Sequence, residues 1–310
     1  MKRILYFIVS VLVLASCSNQ EDLSSQKPPI EKKSNFETFA IYGEVHNAML
    51  KEADANFVAP TEIASSKNEA IEHVLEFQKK NVETLSIPSK DKEYLLKGME
   101  EHKNLYCTED LMSQFTKRNS RASEEINDSE EDITTDDIKS LINNAYSLGE
   151  IDSFEHKTFM QLVDCVVDNA SGKLSNSAFD NEVCKLINQW EIKYSDVDFS
   201  QLEVVQDDSE LPPLSFDLAP KGALGGVVLN VSKSSLEYWD ATTPKTRAVP
   251  AFVGADIAGA VVGACSGAIG SYAVSRKVNW KGVAWSATSG AITGSTGIVG
   301  KIGKWISKML

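Results

Sequence analysis

Apolar residues recur at helical spacing through much of the chain from residue 36 to residue 193. Each stripe follows a capping signal, in which a serine, threonine or aspartate precedes an acidic residue by three positions. Glycines stand where two of these helices should end. The capping pairs are Ser66–Glu69, Thr134–Asp137, Asp152–Glu155 and Ser177–Asp180, and the terminating glycines are Gly149 and Gly172.

A further apolar stripe predicts a helix over 94–115, and the acidic run 123–132 predicts a solvated loop. This run lacks the alternating carboxylates and the central glycine of a calcium loop, so we predict no metal there. We expect an acidic helical domain of five or six helices over 36–193 and a mainly α fold.

The stretch 194–249 contains several prolines and an acidic patch, which predict a linker or an irregular segment. Within it, residues 222–239 begin with an apolar run. Such a short run fits a helix or a strand equally, because periodicity does not separate the two over this length.

A glycine-rich tail follows over 250–310 and contains two uncharged runs of 18 residues each, 257–274 and 283–300. Eleven of the 18 glycines of the chain lie between Gly254 and Gly303. This concentration predicts a special packing role for the tail, because a flexible linker would be richer in serine and poorer in valine, isoleucine and alanine.

On a helix, the glycines of each run fall on one side, within about 80° in the first run and about 60° in the second. Each interior glycine costs about 1 kcal/mol relative to alanine, so close helix packing or an apolar solvent must offset the loss. A strip without side chains lets another helix approach closely, as in membrane helix pairs. The predicted helix-packing residues are Gly259, Gly263, Gly267, Gly270, Gly290, Gly294 and Gly297.

The last ten residues, KIGKWISKML, predict a short cationic amphipathic helix with an interfacial tryptophan. Such a segment is typical of chains that rest on an anionic membrane surface. The alternative is a basic end that docks on the acidic front domain. The predicted membrane-surface residues are Lys301, Lys304, Trp305 and Lys308.

In this pattern, the tail over 250–310 resembles the glycine-zipper hairpins of membrane-active proteins and of some bacteriocins. The resemblance implies two helices that pack through their glycines and interact with a membrane. The second run departs from the pattern because serines and threonines make it only weakly apolar. A hairpin that stays packed in a soluble state and enters a membrane later fits better than a permanent pair of spans.

The chain begins with two basic residues and an apolar run over 4–15, which has the length of a signal-peptide core and is too short to span a bilayer. It ends in Leu-Ala-Ser-Cys at 14–17, which resembles the lipobox of bacterial lipoproteins. The resemblance implies cleavage after residue 16 and lipid attachment at Cys17; a plain signal peptide with an accidental cysteine is the alternative.

Residues 17–35 are polar, contain two prolines and predict a flexible tether between the signal peptide, 1–16, and the helical domain. Ser18 follows the cysteine in place of Asp, which under the enteric sorting rule favours the outer membrane. We therefore expect a lipid-anchored protein of the bacterial cell envelope.

The net charge of −13 is divided unevenly along the chain. Residues 222–310 carry nine lysines and arginines against three acidic residues, whereas the rest carries 22 against 41. Phosphate contacts need clustered lysine and arginine, so the acidic front part argues against nucleic-acid binding.

Export permits disulfides among Cys107, Cys165, Cys184 and Cys265. A Cys165–Cys184 bridge between neighbouring helices is one candidate, and free buried thiols are an equal alternative. Spacing does not decide between them, because four cysteines allow three full connectivities.

The sequence contains few candidate catalytic or metal-binding residues. The four histidines lack the paired spacing of a zinc site, and the sequence holds no GxSxG, HExxH or phosphate-binding glycine loop. One local pattern offers a candidate polar site of Glu44, His46 and Asn47; its alternative is a helical His and Asn that hydrogen-bond a neighbouring loop. A cysteine–histidine pair using Cys107 or Cys165 is a further option. We predict no cofactor and no assigned catalytic residue.

Two functions fit these observations. The first is a secreted or surface lipoprotein whose C-terminal hairpin interacts with membranes and perturbs them. The second is a structural or binding lipoprotein whose hairpin packs within the protein or mediates self-association. An enzyme is a third class, without a readable catalytic constellation.

Overall fold

Nine α-helices make up most of the residues that the structure, a computed structural model, describes. The described residues are 34–59, 66–103, 134–199, 220–242, 249–275 and 279–298. The helices are α1 (Ala40–Asn56), α2 (Lys67–Thr84), α3 (Ser89–Glu101), α4 (Thr135–Ser147), α5 (Ser153–Ala170), α6 (Asn176–Lys193), α7 (Ala223–Thr242), α8 (Val249–Ser275) and α9 (Trp280–Ile298). The described residues contain no strand, and the prediction of a mainly α fold is confirmed.

Helices α8 and α9 pair along their lengths and occupy the centre of this arrangement. Helix α8 also contacts α4, α5 and α7, while α9 contacts α1, α3 and α7. Helices α2 and α6 lie further out, α2 against α1 and α3, and α6 against α5 and α7. Helices α8 and α9, which carry the glycine strips, are therefore surrounded by α7 and by helices from the acidic front part.

Most of the predicted helix starts are present. The Ser66 hydroxyl accepts from the Glu69 amide, and Thr134 and Asp152 form full capping boxes with Asp137 and Glu155. In α6 the cap is Ser175, not Ser177, because the helix starts at residue 176. The Ser175 hydroxyl accepts from the Ala178 amide. Hydrogen bonds from Thr134 lower the pKa of Asp137.

The two predicted terminating glycines lie just after the ends of α4 and α5. Gly149 and Gly172 adopt positive φ angles of 79° and 76°, a conformation that glycine adopts at little cost. The helix predicted over 94–115 begins earlier, at Ser89 directly after Pro88, and α3 ends at Glu101. Residues 104–133, including the predicted acidic loop, lie outside the described part.

Helix α7 lies inside the stretch 194–249 for which a linker or irregular segment was expected. Its first ten residues, 223–232, are all buried, so this part of the stretch is a core helix. The proline and charge signals that predicted a linker come from other parts of the stretch. From the sequence alone, the apolar run of residues 222–239 is compatible with a helix or a strand. Its packing against the rest of the core favours the helix.

The described helices of the front part and the tail share one hydrophobic core. Side chains from α1, α5 and α6 contribute to it together with those of α7, α8 and α9. Its largest fully buried side chains include Trp190 of α6 and Trp285 of α9. The difference in charge between the two parts of the sequence therefore does not separate their helices in space.

One buried carboxyl group joins the start of α7 to the start of α5. Glu155 Oε2 accepts from the Asp152 amide at 3.0 Å, and Oε1 accepts from the Gly225 amide in the first turn of α7 at 2.9 Å. Trp190 Nε1 donates to the Gly222 carbonyl just before α7. Helix N-termini carry free N–H groups and a partial positive charge. The Glu155 side chain therefore accepts hydrogen bonds at two helix N-termini, those of α5 and α7.

Burial raises the pKa of Glu155 to about 7 despite these hydrogen bonds. The native state therefore holds this proton up to about pH 7, whereas the unfolded chain releases it near pH 4.5, the ordinary value of a glutamate pKa. The native state binds more protons between these values, so this group's contribution to stability falls as the pH rises through them.

We expect Glu155→Gln to have a flatter stability profile than the native protein. The amide keeps an acceptor for the Gly225 N–H and does not ionise, so between pH 5 and 7.5 the native protein should lose about 2–3 kcal/mol relative to the variant. Urea unfolding at several pH values measures the difference, and parallel profiles would contradict the raised pKa.

Candidate functional site

The paired helices α8 and α9 touch through their backbones. A Cβ atom placed on Gly259 would overlap the Gly290 carbonyl, lying 2.7 Å from its carbon, and one placed on Gly290 would overlap the Gly259 carbonyl oxygen. The same holds for Gly263 against the carbonyl of Ser286. The order of these contacts makes the two helices antiparallel.

The remaining predicted packing glycines differ from one another. A Cβ on Gly294 would lie 2.6 Å from the Ala255 carbonyl oxygen, and one on Gly267 would lie 3.0 Å from the Ser286 side chain. Gly270 is exposed, and within the described residues a Cβ there would meet nothing within 4 Å, so the structure does not use it for packing. Gly297 belongs to α9, but its surroundings lie outside the described part.

Five of the six hydroxyl groups of α9 hydrogen-bond to their own helix, and the sixth, that of Ser286, pairs with His102. Thr288, Thr293 and Thr296 donate to carbonyls four residues earlier, at 3.2, 2.6 and 2.5 Å. Ser289 and Ser295 donate in the same way to carbonyls three and four residues earlier. These side chains are nevertheless buried. Local bonds of this type let a helix rich in serine and threonine lie in an apolar environment without unsatisfied hydroxyl donors.

A buried polar cluster ties α8 to its neighbours. The carboxylate of Asp256, which is fully buried, accepts at Oδ2 from Ser235 Oγ at 2.6 Å and from Trp239 Nε1 at 2.9 Å. Its Oδ1 lies 3.3 Å from His46 Nε2 of α1. This last pair lies close together but is not aligned for a hydrogen bond. Burying a charge is costly without partners, and the cluster supplies them from α1 and α7.

The structure divides the predicted polar site. His46 Nδ1 lies 2.9 Å from Asn47 Oδ1, and Asn47 Nδ2 donates to the Ser234 carbonyl at 2.9 Å. Glu44 is exposed on the same helix and does not join them. The bond from Asn47 reaches α7, the core helix within the stretch expected to be a linker.

His46 also lies beside Asp256, the residue that directly precedes the first uncharged run. Helix α8 begins at residue 249, so Asp256 lies inside the helix, not at its N-terminus. The signal available in the sequence was a lone acidic residue beside a long apolar run. Its partners Ser235 and Trp239 lie far enough away in sequence that only the fold joins them.

The described cysteines are free thiols, and the suggested Cys165–Cys184 bridge is not formed. Burial and the neighbouring carboxylates raise the pKa of the Cys165 thiol to about 11. Burial also raises the pKa of Cys265. A raised pKa lowers the thiolate fraction, so neither thiol is activated as a nucleophile.

Several predicted residues lie outside the described part of the chain: Cys17, Cys107, Lys301, Lys304, Trp305 and Lys308. Within the described ranges, no group of histidine, cysteine and acidic side chains has the geometry to hold a metal ion. The candidate functional site is therefore the α8–α9 hairpin together with the Asp256 cluster that fixes it.

We expect Gly259→Ala to destabilise the protein by about 2–3 kcal/mol, because the new methyl group meets the backbone of α9 and forces the two helices apart. The matched control is Gly270→Ala on the same helix, where the methyl group meets no described atom. This control should gain about 0.5–1 kcal/mol through helix propensity. Chemical unfolding measures both, and a loss of similar size in both variants would contradict the backbone contact.

We expect Asp256→Ala to cost about 3–5 kcal/mol, because His46, Ser235 and Trp239 lose a buried charged partner together. The control is Glu44→Ala at the exposed position of the predicted polar site, which should change stability by less than about 0.5 kcal/mol. Thermal and urea unfolding provide the comparison. A native-like stability of Asp256→Ala would show that the cluster does not hold the hairpin.

Comparison with known proteins bears on the N-terminus. The family model of the prokaryotic membrane lipoprotein lipid attachment site matches residues 1–18. No curated protein and no solved structure matches the chain. The chain thus carries the lipid attachment site of an exported lipoprotein, anchored by lipid in the bacterial cell envelope.

Proposed function

We propose that this lipoprotein stores a membrane-interacting hairpin, α8 and α9, inside a shell of helices and perturbs a membrane when the hairpin is released. The observation that carries the proposal is the character of α8. By length and composition, Ala251–Ala273 is the one described segment able to cross a membrane, with a mean hydropathy of 1.7, and 83% of that window is buried. A helix that is apolar all round belongs in a protein core or in a membrane.

The hydrogen bonds of α9 support the same proposal. In a bilayer, polar groups need partners, and five of the six hydroxyls of α9 have theirs within the helix, whereas Ser286 pairs with His102. The partners of these five move with the helix when it leaves the shell. The serines and threonines that make the second run weakly apolar therefore raise the cost of insertion less than their number implies.

The position of Asp256 sets the energetic barrier to release. It lies five residues after the start of Ala251–Ala273, about 8 Å along the helix axis. In a spanning helix, its carboxylate would lie near the membrane surface, where charged groups remain hydrated. In the stored form, it holds the hairpin through His46, Ser235 and Trp239. Breaking this cluster is the step that release requires.

The lipid anchor and the basic end of the tail keep the hairpin close to a bilayer. A lipoprotein is held beside a bilayer, so a released hairpin meets lipid without diffusing to it. The cationic end, with Lys301, Lys304, Trp305 and Lys308, is proposed to lie on an anionic surface. The proposed location is the outer membrane, in line with Ser18 after the lipidated cysteine.

A second candidate function is supported by the backbone contacts between Gly259 and Gly290. These contacts are made within one chain, as expected if the hairpin is a permanent core element of a structural or binding lipoprotein. Self-association through the glycine strips would need the same surfaces and would compete with the intramolecular pairing. The two candidates differ in whether α8 and α9 ever leave the shell.

A disulfide between α3 and α9 tests the proposal. A Cβ on Gly98 would lie 3.0 Å from Cβ of Ser289, and disulfides join Cβ atoms about 3.8 Å apart, so Gly98→Cys with Ser289→Cys needs only a small shift. The protein without lipid, from residue 18 onward, is mixed with anionic vesicles containing a self-quenched dye.

We expect the reduced double variant to release dye and the oxidised form to release at least tenfold less, because the crosslink keeps α9 in the shell. The reduced form of the same variant is the control for the substitutions themselves. Equal release from the two forms would refute the release of the hairpin. Absence of release from the reduced form and from the native sequence would favour the permanent core element.

A further inference from the structure

A cavity of about 580 Å³ lies where α3 and α4 meet the two helices of the hairpin. Its apolar walls include Leu141, Val262 and Val283, and glycines of α3, α8 and α9 form further parts of its lining. Binding sites for small molecules commonly enclose about 300–1,000 Å³ and combine apolar walls with a few polar groups. The cavity is within this range and has this composition.

Most polar groups around the cavity are already engaged. Asn279 donates from Nδ2 to the Tyr94 hydroxyl at 2.6 Å and from its backbone N–H to Ser271 Oγ at 2.9 Å. Lys97 and Glu101 pair with each other at 3.7 Å and are exposed, so they contribute no net charge. These described side chains already pair with one another, so they offer no binding site for a charged ligand.

His102 is the exception. It lines the cavity, is 7% exposed, and its Nε2 lies 3.0 Å from Ser286 Oγ. Among the described residues, its Nδ1 has no hydrogen-bond partner. Although the side chain is largely buried, this nitrogen keeps part of its surface open. Because the ring lines the cavity, the open nitrogen is available to a molecule there.

The charge of this imidazole restricts the ligand. Burial lowers the pKa of His102 to about 4, so the ring is neutral at neutral pH. A neutral imidazole in an apolar cavity offers one hydrogen bond and no charge, and a charged ligand would lose its hydration without gaining an ionic partner. The arrangement favours an uncharged molecule.

We propose that this cavity is a binding site for a small, uncharged, mainly apolar molecule with one hydroxyl or carbonyl group that hydrogen-bonds to His102. This binding does not require the membrane activity proposed above, although both helices of the hairpin line the cavity. The serine and histidine do not form a hydrolytic pair, because Ser286 lies within α9, where the helix uses the backbone N–H groups that would stabilise an oxyanion.

The test uses fluorine NMR of the protein from residue 18 onward with two matched probes, 4-(trifluoromethyl)phenol and 4-(trifluoromethyl)toluene. We expect the phenol to bind, with broadening of its resonance that saturates with concentration, and to bind at least tenfold more tightly than the toluene. The hydroxyl accounts for this difference through His102. In His102→Leu, the difference between the two probes should disappear.

A blocking variant separates binding in the cavity from binding elsewhere. Gly270→Leu places a side chain at an open position of the lining and improves helix propensity, so it should fold and bind the phenol at least tenfold more weakly. The control is Ala273→Leu, exposed on the same helix and outside the lining, which should bind as the native protein does.

Equal binding by Gly270→Leu and the native protein, or no binding of the phenol to the native protein, overturns the proposal. Circular dichroism of each variant verifies its fold, and the Gly270→Leu result stands even if His102→Leu does not fold. The assay contains no membrane. Its failure and the failure of the vesicle assay are therefore independent outcomes.

Discussion

The contact between the backbones of α8 and α9 is the constraint on which the rest of the structure depends. Gly259 and Gly290 bring two helices so close that neither position accommodates a methyl group. This proximity produces a narrow, apolar centre from segments with little helix propensity of their own. The surrounding helices then have a compact pair to cover, and α7 supplies both apolar contacts and the polar partners of Asp256. The glycines are unfavourable in an isolated helix and become favourable only through this packing.

The polar groups of the core follow two different arrangements. Five of the six hydroxyls of α9 bond within their own helix, so these five place no demand on neighbouring elements. The Asp256 carboxylate depends on α1 and α7 and has no comparable bond within its own helix in the described structure. The first arrangement allows the helix to change its surroundings, whereas the second fixes it in one place. The proposed storage and release of the hairpin rests on this contrast between mobile and fixed polar partners.

Local signals in the sequence predicted local structure well. The capping residues at Thr134 and Asp152 and the glycine at 149 act through neighbours three or four positions away, so the sequence carries their full information. The pairing of His46 with Asp256 joins residues more than 200 positions apart, and no periodicity reports such a contact. The cavity beside His102 was equally out of reach, because it is the space left by four helices. Helix α7 shows the intermediate case, in which an ambiguous apolar run becomes helical through the core around it.

The contact between Gly259 and the backbone of α9 also restricts how the sequence of this protein can diverge during evolution. A clash between two side chains can be relieved by a smaller residue on the partner helix, so such positions change in compensating pairs. A Cβ at Gly259 meets a main-chain carbonyl, which every amino acid possesses. No substitution at residue 290 removes that oxygen. Related sequences are therefore expected to retain glycine at 259 independently of what occupies the facing helix, while covariation should concentrate at the side-chain contacts of the shell.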